Sequence, residues 1–320
     1  MSKSLVWITG GGIGNIVQKT CIIPELKEKY DEIYVVTPYA DIFEIQDIDG
    51  AFQQAPATLY SQLIKDSGDD VDVIAENVYN NKDFLKKTLH FNDAVRDLFG
   101  FERKGIEACM DENPVLPLKE KHPEVYDDVR NFLNQQKKHK FVVLQYEGGT
   151  SPLEPNMYNA FAKEPLVRTY KWYPDLVKKL QEKYKGYTFI QYKLPQEKLL
   201  DGCITIERPY LWWRALAEVL AEDKDNFAVV RDSSFQHMAA GTGLNTTVLF
   251  GETGGFGEYP VGAYFGHSCN HNLLFVKNDI SDCQPFFQAF SNPPAVIRYF
   301  KPEELLSKMN AWLPEVKEKK

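Results

Sequence analysis

Cysteine is scarce in this chain and shows no pairing: Cys21, Cys109, Cys203, Cys269 and Cys283 are odd in number and scattered without a CxxC motif. That usage excludes a disulfide framework and a zinc ribbon, and it fits reduced thiols in a cytosol. Long apolar runs are missing too. None reaches the roughly 18 residues that a membrane-spanning helix needs. The opening Met1-Ser2-Lys3 leads straight into a strand-like run, without the apolar stretch and small-residue cleavage site of a secretory signal. A soluble, cytoplasmic protein with no transmembrane segment is therefore predicted. Positive charge is also short, with 37 Lys and Arg against 45 Asp and Glu and a formal net charge of -8. The only basic clusters are short, such as Lys137-Lys138-His139-Lys140 and the end from Lys317 to Lys320. Gripping a nucleic-acid backbone through many phosphates is disfavoured, although a local basic groove is not excluded. There is no internal repeat and no low-complexity segment, so solenoid and linker architectures are not needed.

What is present is an ordinary globular composition, 43% hydrophobic and 26% charged, in a chain longer than one core usually supports. Two domains are the default. Runs rich in β-branched and aromatic residues recur at Leu5 to Thr9, Glu32 to Thr37, Val71 to Ala75 and Phe141 to Tyr146. Four more follow, Thr188 to Gln191, Phe227 to Val230, Thr246 to Phe250 and Leu273 to Val276. Each precedes a helix-like stretch, and their near-continuous apolar character suits strands covered on both faces of parallel sheets. The stretch from Asp111 to Lys140 carries Pro114, Pro117 and Pro123, a density that suits a connection. The expected division is residues 1–125 and 126–320, each a Rossmann-like domain, with a C-terminal helix from about Pro302 to Leu313 packing back toward the first.

The first strand ends in Gly10-Gly11-Gly12-Ile13-Gly14-Asn15, followed by a helical pattern from Ile16 to Tyr30. A glycine turn between strand and helix lets a ligand approach the backbone and leaves helix amides free for an anion. The GxGxxG dinucleotide spacing fails, because the third glycine stands at 14 and Asn15 takes its place. The acidic residue expected about 20 positions on would be near Asp31 or Glu32, before the second strand rather than at its end, where Thr37-Pro38 stands. A dehydrogenase is disfavoured, and the plainer reading of these glycines is a tight turn.

In the second half, Asp232-Ser233-Ser234 follows the Phe227 strand and leads a helix containing His237. Ligands of open α/β sheets sit beyond the carboxyl ends of strands, and a helix start with hydroxyls and amides suits a diphosphate. The plainer readings are helix capping by Asp232 or Ser233 and a satisfied buried histidine at 237. A second glycine loop, Gly251-Glu252-Thr253-Gly254-Gly255-Phe256-Gly257, follows the next strand at the same edge, and a third, Gln145-Tyr146-Glu147-Gly148-Gly149-Thr150, follows the first strand of this half.

Together these segments resemble the ADP-heptose lipopolysaccharide heptosyltransferase family. The matching stretches are Gly12-Ile13-Gly14-Asn15 through Thr20 with Pro24-Glu25-Leu26, Lys171-Trp172-Tyr173-Pro174, Arg231 to Ala240, and Phe250-Gly251-Glu252-Thr253 with Pro260-Val261-Gly262. The resemblance implies the GT-B fold, two Rossmann-like domains facing a cleft, and transfer of a sugar from a nucleotide-diphosphate donor to an acceptor hydroxyl. It implies no cofactor and no metal, the leaving diphosphate being stabilised by helix amides and side chains. Donor contacts carried over are Gly148, Gly149, Thr150, Asp232, Ser233, Ser234, His237, Gly251, Glu252 and Thr253. The acceptor or phosphate loop is Gly11, Gly12, Gly14 and Asn15. Catalytic roles fall to Asn15 and to His237, the latter as a donor to a phosphate or sugar oxygen. Where the family carries an aspartate as base, this chain has Asn15, whose amide cannot accept a proton at neutral pH. Asp41, Glu44 and His90 are substitutes, each more plainly read as a solvated surface residue. The acceptor would be a glycan or an unusual hydroxyl such as that of a modified nucleobase. A nucleotide-sugar epimerase and a non-catalytic nucleotide-sugar-binding protein are alternatives.

Three other clusters read as structural. Asp70-Val71-Asp72 has the DxD form but opens a strand, at the wrong edge for a ligand. His267, Cys269 and His271 lack the further ligand pair of a zinc site. Tyr210, Trp212 and Trp213 suit core packing better than stacking on a base.

Overall fold

Parallel strands alternate with helices along the chain and gather into two separate sheets. The computed structural model describes residues 3–56, 58–67, 70–75, 78–86, 88–146, 170–195, 197–251, 260–276 and 299–315. The first sheet is built from β1 (Ser4–Ile8), β2 (Glu32–Val36), β3 (Gly50–Phe52) and β4 (Val71–Ala75) in the order β3-β2-β1-β4. The second uses β5 (Lys140–Gln145), β6 (Tyr187–Gln191), β7 (Phe227–Arg231), β8 (Asn245–Phe250) and β9 (His271–Phe275) in the order β6-β5-β7-β8-β9. Every pairing is parallel. The central strands are buried on both faces, as their continuous apolar runs require: every residue of β7 is buried, and all of β5 after Lys140.

In the first half the helices are α1 (Ile13–Lys19), α2 (Ile23–Lys29), α3 (Ala40–Glu44), α4 (Leu59–Ser67), α5 (Lys82–Leu85), α6 (Phe91–Phe99), α7 (Ile106–Asp111) and α8 (Leu118–Lys121). Pro24 cannot continue α1 but suits the first turn of α2, so a 3-10 turn at Thr20–Ile22 joins them. Next come α9 (Pro123–Asn134), α10 (Tyr173–Lys183), α11 (Tyr210–Leu220), α12 (Ser234–Ala239) and α13 (Pro302–Met309). Helix α9 lies on α11: Tyr126 donates to Glu218 at 2.7 Å, the Trp212 indole donates to Asp128 at 2.7 Å, and Arg130 pairs with Glu222 at 2.6 Å.

The C-terminal helix does not return to the first half. Its buried Leu305 and Met309 pack on α10, where Lys183 donates to Asn310 at 2.8 Å and the Tyr184 hydroxyl to the Pro314 carbonyl at 2.9 Å. Phe227 and Val229 of the second sheet, together with Tyr173, Leu176 and Leu180 of α10, give that helix a core to cover.

The other core runs through both halves, from Leu5, Trp7 and Ile16 through Phe84 and Phe91 to Phe235, Met238 and Phe265. Residues 260–268, which lead into β9, cross to the first half and act as a strap. Phe91 N–H donates to the Tyr264 carbonyl at 3.0 Å, Ser268 N–H to the Met110 carbonyl at 2.8 Å, and the Gln18 amide to the Phe265 carbonyl at 3.4 Å. The Tyr264 ring stacks on Phe84 with centroids 4.1 Å apart.

Candidate functional site

Each sheet has a point where the strand order reverses, and in open parallel sheets ligands bind beyond the carboxyl ends of the strands there. In the first sheet that point lies between β1 and β4, bordered by the glycine loop and by a 3-10 turn at Val78–Asn80. In the second it lies between β5 and β7, bordered by Gln145 and by Asp232 to Ser234. The two points face each other, because α1 and α12 meet. A Cβ on Gly14 would come within 2.8 Å of His237 Cδ2 and 3.2 Å of the Ser234 Cα, so glycine 14 permits helix against helix. Around Gly10 and Gly12 a Cβ would meet nothing within 4 Å, which leaves that side of the loop open. Gly11 has a φ of 109°, a conformation that requires glycine. Buried Lys19 reaches back to tie the loop, donating to Thr9 Oγ1 and the Gly10 carbonyl, each at 2.8 Å. Asn15 joins the two sides of the reversal by donating from Nδ2 to the Tyr79 hydroxyl at 3.4 Å.

Helix α12 is capped differently from the sequence expectation. Ser233 holds the capping position but its side chain makes no capping bond to the helix, and Asp232 accepts from Gln236 Nε2 at 2.5 Å. The capping group is Gln145, at the end of the neighbouring strand: its Oε1 accepts from Phe235 N–H at 3.1 Å, and its Nε2 donates to Ser233 Oγ at 3.2 Å. The Ser234 hydroxyl donates to the Tyr192 hydroxyl at 3.4 Å. At the far end, buried Arg214 donates to the carbonyls of Met238 and Ala240 at 2.5 and 2.8 Å, where a cation suits the helix dipole. This short helix is therefore held at both ends by side chains from other elements.

Solved structures share this architecture, although no family model matches the sequence and no curated protein is similar to it in sequence. A glycosyl transferase of family 9 from Veillonella parvula has a TM-score of 0.60 over 97% of both chains at 10% identity. ADP-heptose lps heptosyltransferase II of E. coli scores 0.54 over 97% of this chain and 98% of its own at 12% identity. An iron-containing dodecameric glycosyltransferase, TibC, from enterotoxigenic E. coli scores 0.54 over 99% of this chain and 70% of its own at 13% identity. The chain has the GT-B fold of these glycosyltransferases.

In this GT-B chain four histidines are buried together where the halves meet. His237 Nδ1 lies 2.9 Å from His267 Nε2, and His267 Nδ1 lies 3.0 Å from the Glu112 carbonyl of the first half. His90 is sealed rather than solvated, as the sequence reading had it: Nδ1 accepts from Asn92 N–H at 3.2 Å, capping α6, and Nε2 lies 3.1 Å from the strap's Gly266 carbonyl. His271 is buried with both ring nitrogens unpaired. Burial lowers all four: His90 and His267 to about 4, His271 to about 3, and His237 well below the usual range with its histidine neighbours adding to the effect. All four are neutral at pH 7. Glu112 is itself pinned by buried Arg96, whose guanidinium also binds Glu25 at 2.7 Å and Asp93 at 3.1 Å.

Gly251 is buried at the end of β8 beside this edge, while Gly148, Gly149, Thr150, Glu252 and Thr253 lie outside the described residues. Asp70 and Asp72 stand at the amino edge of the first sheet. Asp72 accepts from the Tyr30 hydroxyl at 2.7 Å, which holds its carboxyl below the usual range. Trp212 and Trp213 are core residues in edge-to-face contact. Among the described residues no three His, Cys, Asp or Glu side chains gather to hold a metal ion. Arg214 is a structural contributor the sequence reading missed, and Gln145 was read there only as the opening of the third glycine loop, not as the group that caps α12.

Proposed function

We propose that the protein is a glycosyltransferase whose second half holds a nucleoside-diphosphate sugar and whose first half presents an acceptor hydroxyl. The observation that carries this reading is the meeting of the two reversal points, with Gly14 of α1 against Ser234 and His237 of α12. It gains support from the fold neighbours, one of which was solved with ADP-D-β-D-heptose. Asp232, Ser233, Ser234 and His237 then line the donor, together with Gly251 and the loops carrying Gly148 to Thr150 and Glu252-Thr253. Gly11, Gly12, Gly14 and Asn15 border the acceptor side. Preorganised amides and hydroxyls stabilise charge on the departing diphosphate without rearranging during the reaction.

A base, where one is needed, must be a group other than Asn15. Of the substitutes, His90 has both nitrogens engaged and Glu44 is exposed at the far end of α3. Asp41 is half-buried in the first turn of α3 and faces Tyr210 of the second half, whose hydroxyl is pushed up by burial and then by that carboxylate. We assign Asp41 the role of general base. Asn15 favours one other reading, a protein that binds nucleotide-sugars without transferring them.

Calorimetric titration with ADP-, GDP- and UDP-sugars, with and without chelator, tests the assignment, and sugar release or transfer separates the two readings. Binding that survives chelator and weakens at least about tenfold in Asp232→Asn is expected, roughly 1.4 kcal/mol. Failure of every nucleotide-sugar to saturate at millimolar concentration defeats the proposal, and loss of binding in chelator defeats its metal-independent form.

A further inference from the structure

The histidine pair at the meeting of the halves has a direction. A carbonyl oxygen only accepts hydrogen bonds, so the His267 Nδ1 that faces the Glu112 carbonyl carries the proton and donates it. In a neutral imidazole the other nitrogen is then a bare acceptor, and His267 Nε2 can only receive from His237 Nδ1–H at 2.9 Å. Having committed its proton to Nδ1, neutral His237 is left with an unprotonated Nε2. That nitrogen has no hydrogen-bond partner among the described residues and, unlike both nitrogens of His271, is not among the sealed unpaired atoms. Its ring edge faces Gly14, with Nε2 3.3 Å from where a Cβ would stand.

We propose that His267 is a positioning residue that locks His237 as a hydrogen-bond acceptor at the cleft, so that His237 reads a hydroxyl of the substrate and not a diphosphate oxygen. The proposal rests on the glycosyltransferase reading for its substrate. A diphosphate ionised at neutral pH has no proton to give a bare imidazole nitrogen, and their two lone pairs repel; a hydroxyl has one to give. This reverses the donor role that the sequence resemblance implied for His237. The hydroxyl belongs either to the nucleotide-sugar or to the acceptor, and both present the same chemistry to Nε2. The anchor is also unusual in origin, because the first half supplies it through Glu112 while the second half supplies both imidazoles. Separating the halves therefore releases the tautomer as well as opening the cleft.

Long-range proton–nitrogen correlation spectra of the full chain labelled with 15N-histidine read the tautomers directly, with His237→Asn and His90→Asn used for assignment. At pH 7.5 His237 and His267 should both be protonated at Nδ1. His90 should show the opposite form, protonated at Nε2, because it accepts at Nδ1 from Asn92. His267→Phe should leave His237 in a mixture containing Nε2–H. His267→Gln, whose amide oxygen can accept from His237 Nδ1–H, should restore the single form. With a nucleotide-sugar that binds, His267→Phe should raise KM about tenfold and His267→Gln should recover most of it. Response of the His237 Nε2 signal to the nucleotide-sugar but not to its sugar-free diphosphate places the hydroxyl on the sugar. Response to the diphosphate alone places it on the ribose, and response only after acceptor is added places it there. Protonation of His237 at Nε2 in the unsubstituted protein, or an unchanged tautomer in His267→Phe, overturns the proposal. If the tautomers are as described and no nucleotide-sugar binds, the relay stands and the functional reading falls.

Discussion

Acidification from pH 6.5 to 5 should unfold this protein through its buried histidines, before its paired carboxylates begin to titrate. His90, His237, His267 and His271 are all buried at the junction of the halves, and burial lowers each, to about 4, well below the usual range, to about 4 and to about 3 respectively. The facing charged groups are Asp93 and Arg96 beside His90 and Glu112 beside His267, and they do not reverse that direction. The folded state therefore binds fewer protons than the unfolded chain below the ordinary histidine value near 6.5. Stability is complete above that value and falls as the pH drops toward the folded values. Well below 6.5 one unit of pH costs about 1.4 kcal/mol for each histidine that stays neutral in the fold; because the unfolded imidazole is already half protonated at 6.5, the drop to pH 5 costs about 1.6 kcal/mol each and about 6–7 kcal/mol for four. A total of that size is comparable with the roughly 5–15 kcal/mol that holds a typical domain folded. Despite burial, hydrogen bonds involving Arg96 and Lys104 hold Glu25 and Asp93 below the usual carboxylate range, so they stay ionised across this window. Urea unfolding followed by tryptophan fluorescence at half-unit steps from pH 8 to 5 measures the slope. His271→Phe should remove about a quarter of it and, by eliminating two buried unpaired nitrogens, add about 1–3 kcal/mol at pH 7.5. Stability that stays level down to pH 5, or a slope that His271→Phe leaves unchanged, would refute the reasoning.

Gly14→Ala should cost about 1–3 kcal/mol by overpacking, because the new methyl meets the His237 ring and the Ser234 backbone together, and an unaltered thermal midpoint would show that the helices separate freely. Gln145→Ala should cost about 0.5–2 kcal/mol, as a lost helix cap does, while weakening nucleotide-sugar binding. Normal stability with normal binding in that variant would deny Gln145 both roles. Asp41→Asn should lower turnover by about 100-fold or more with little change in circular dichroism or thermal midpoint, and wild-type turnover would remove Asp41 as the base.

Strands were the most legible part of the fold. Buried parallel strands must be apolar on both faces, so the long central strands stand within a residue or two of where the sequence reading placed them, and Val71 to Ala75 matches as well although that strand lies at the sheet edge and is only partly buried. Strand β3 was not foreseen, because three residues, Gly50–Phe52, carry no periodicity. The glycine loop and the Asp232 segment were legible as strand ends. The groups that hold the Asp232 segment and the buried histidines were not, because Gln145 and Arg214 reach that segment's helix, and Glu112 reaches His267, from elsewhere in the chain through contacts that leave no local pattern. His90 was misread as a surface residue for a related reason: what buries it is the strap, about 175 residues further on, and its partner there is Gly266.

That strap also decides what a fragment of this protein could be. Tyr264 and Phe265 come late in the chain, yet they fill the space between Phe84 and Phe91 near its beginning. A polypeptide ending near residue 125 would retain the first sheet and leave those two phenylalanines facing water. Such a truncation should bind hydrophobic dyes and aggregate on its own. Supplying the remainder of the chain in trans should rescue it, making the two pieces a natural complementation pair whose reassembly reports on the seam between them.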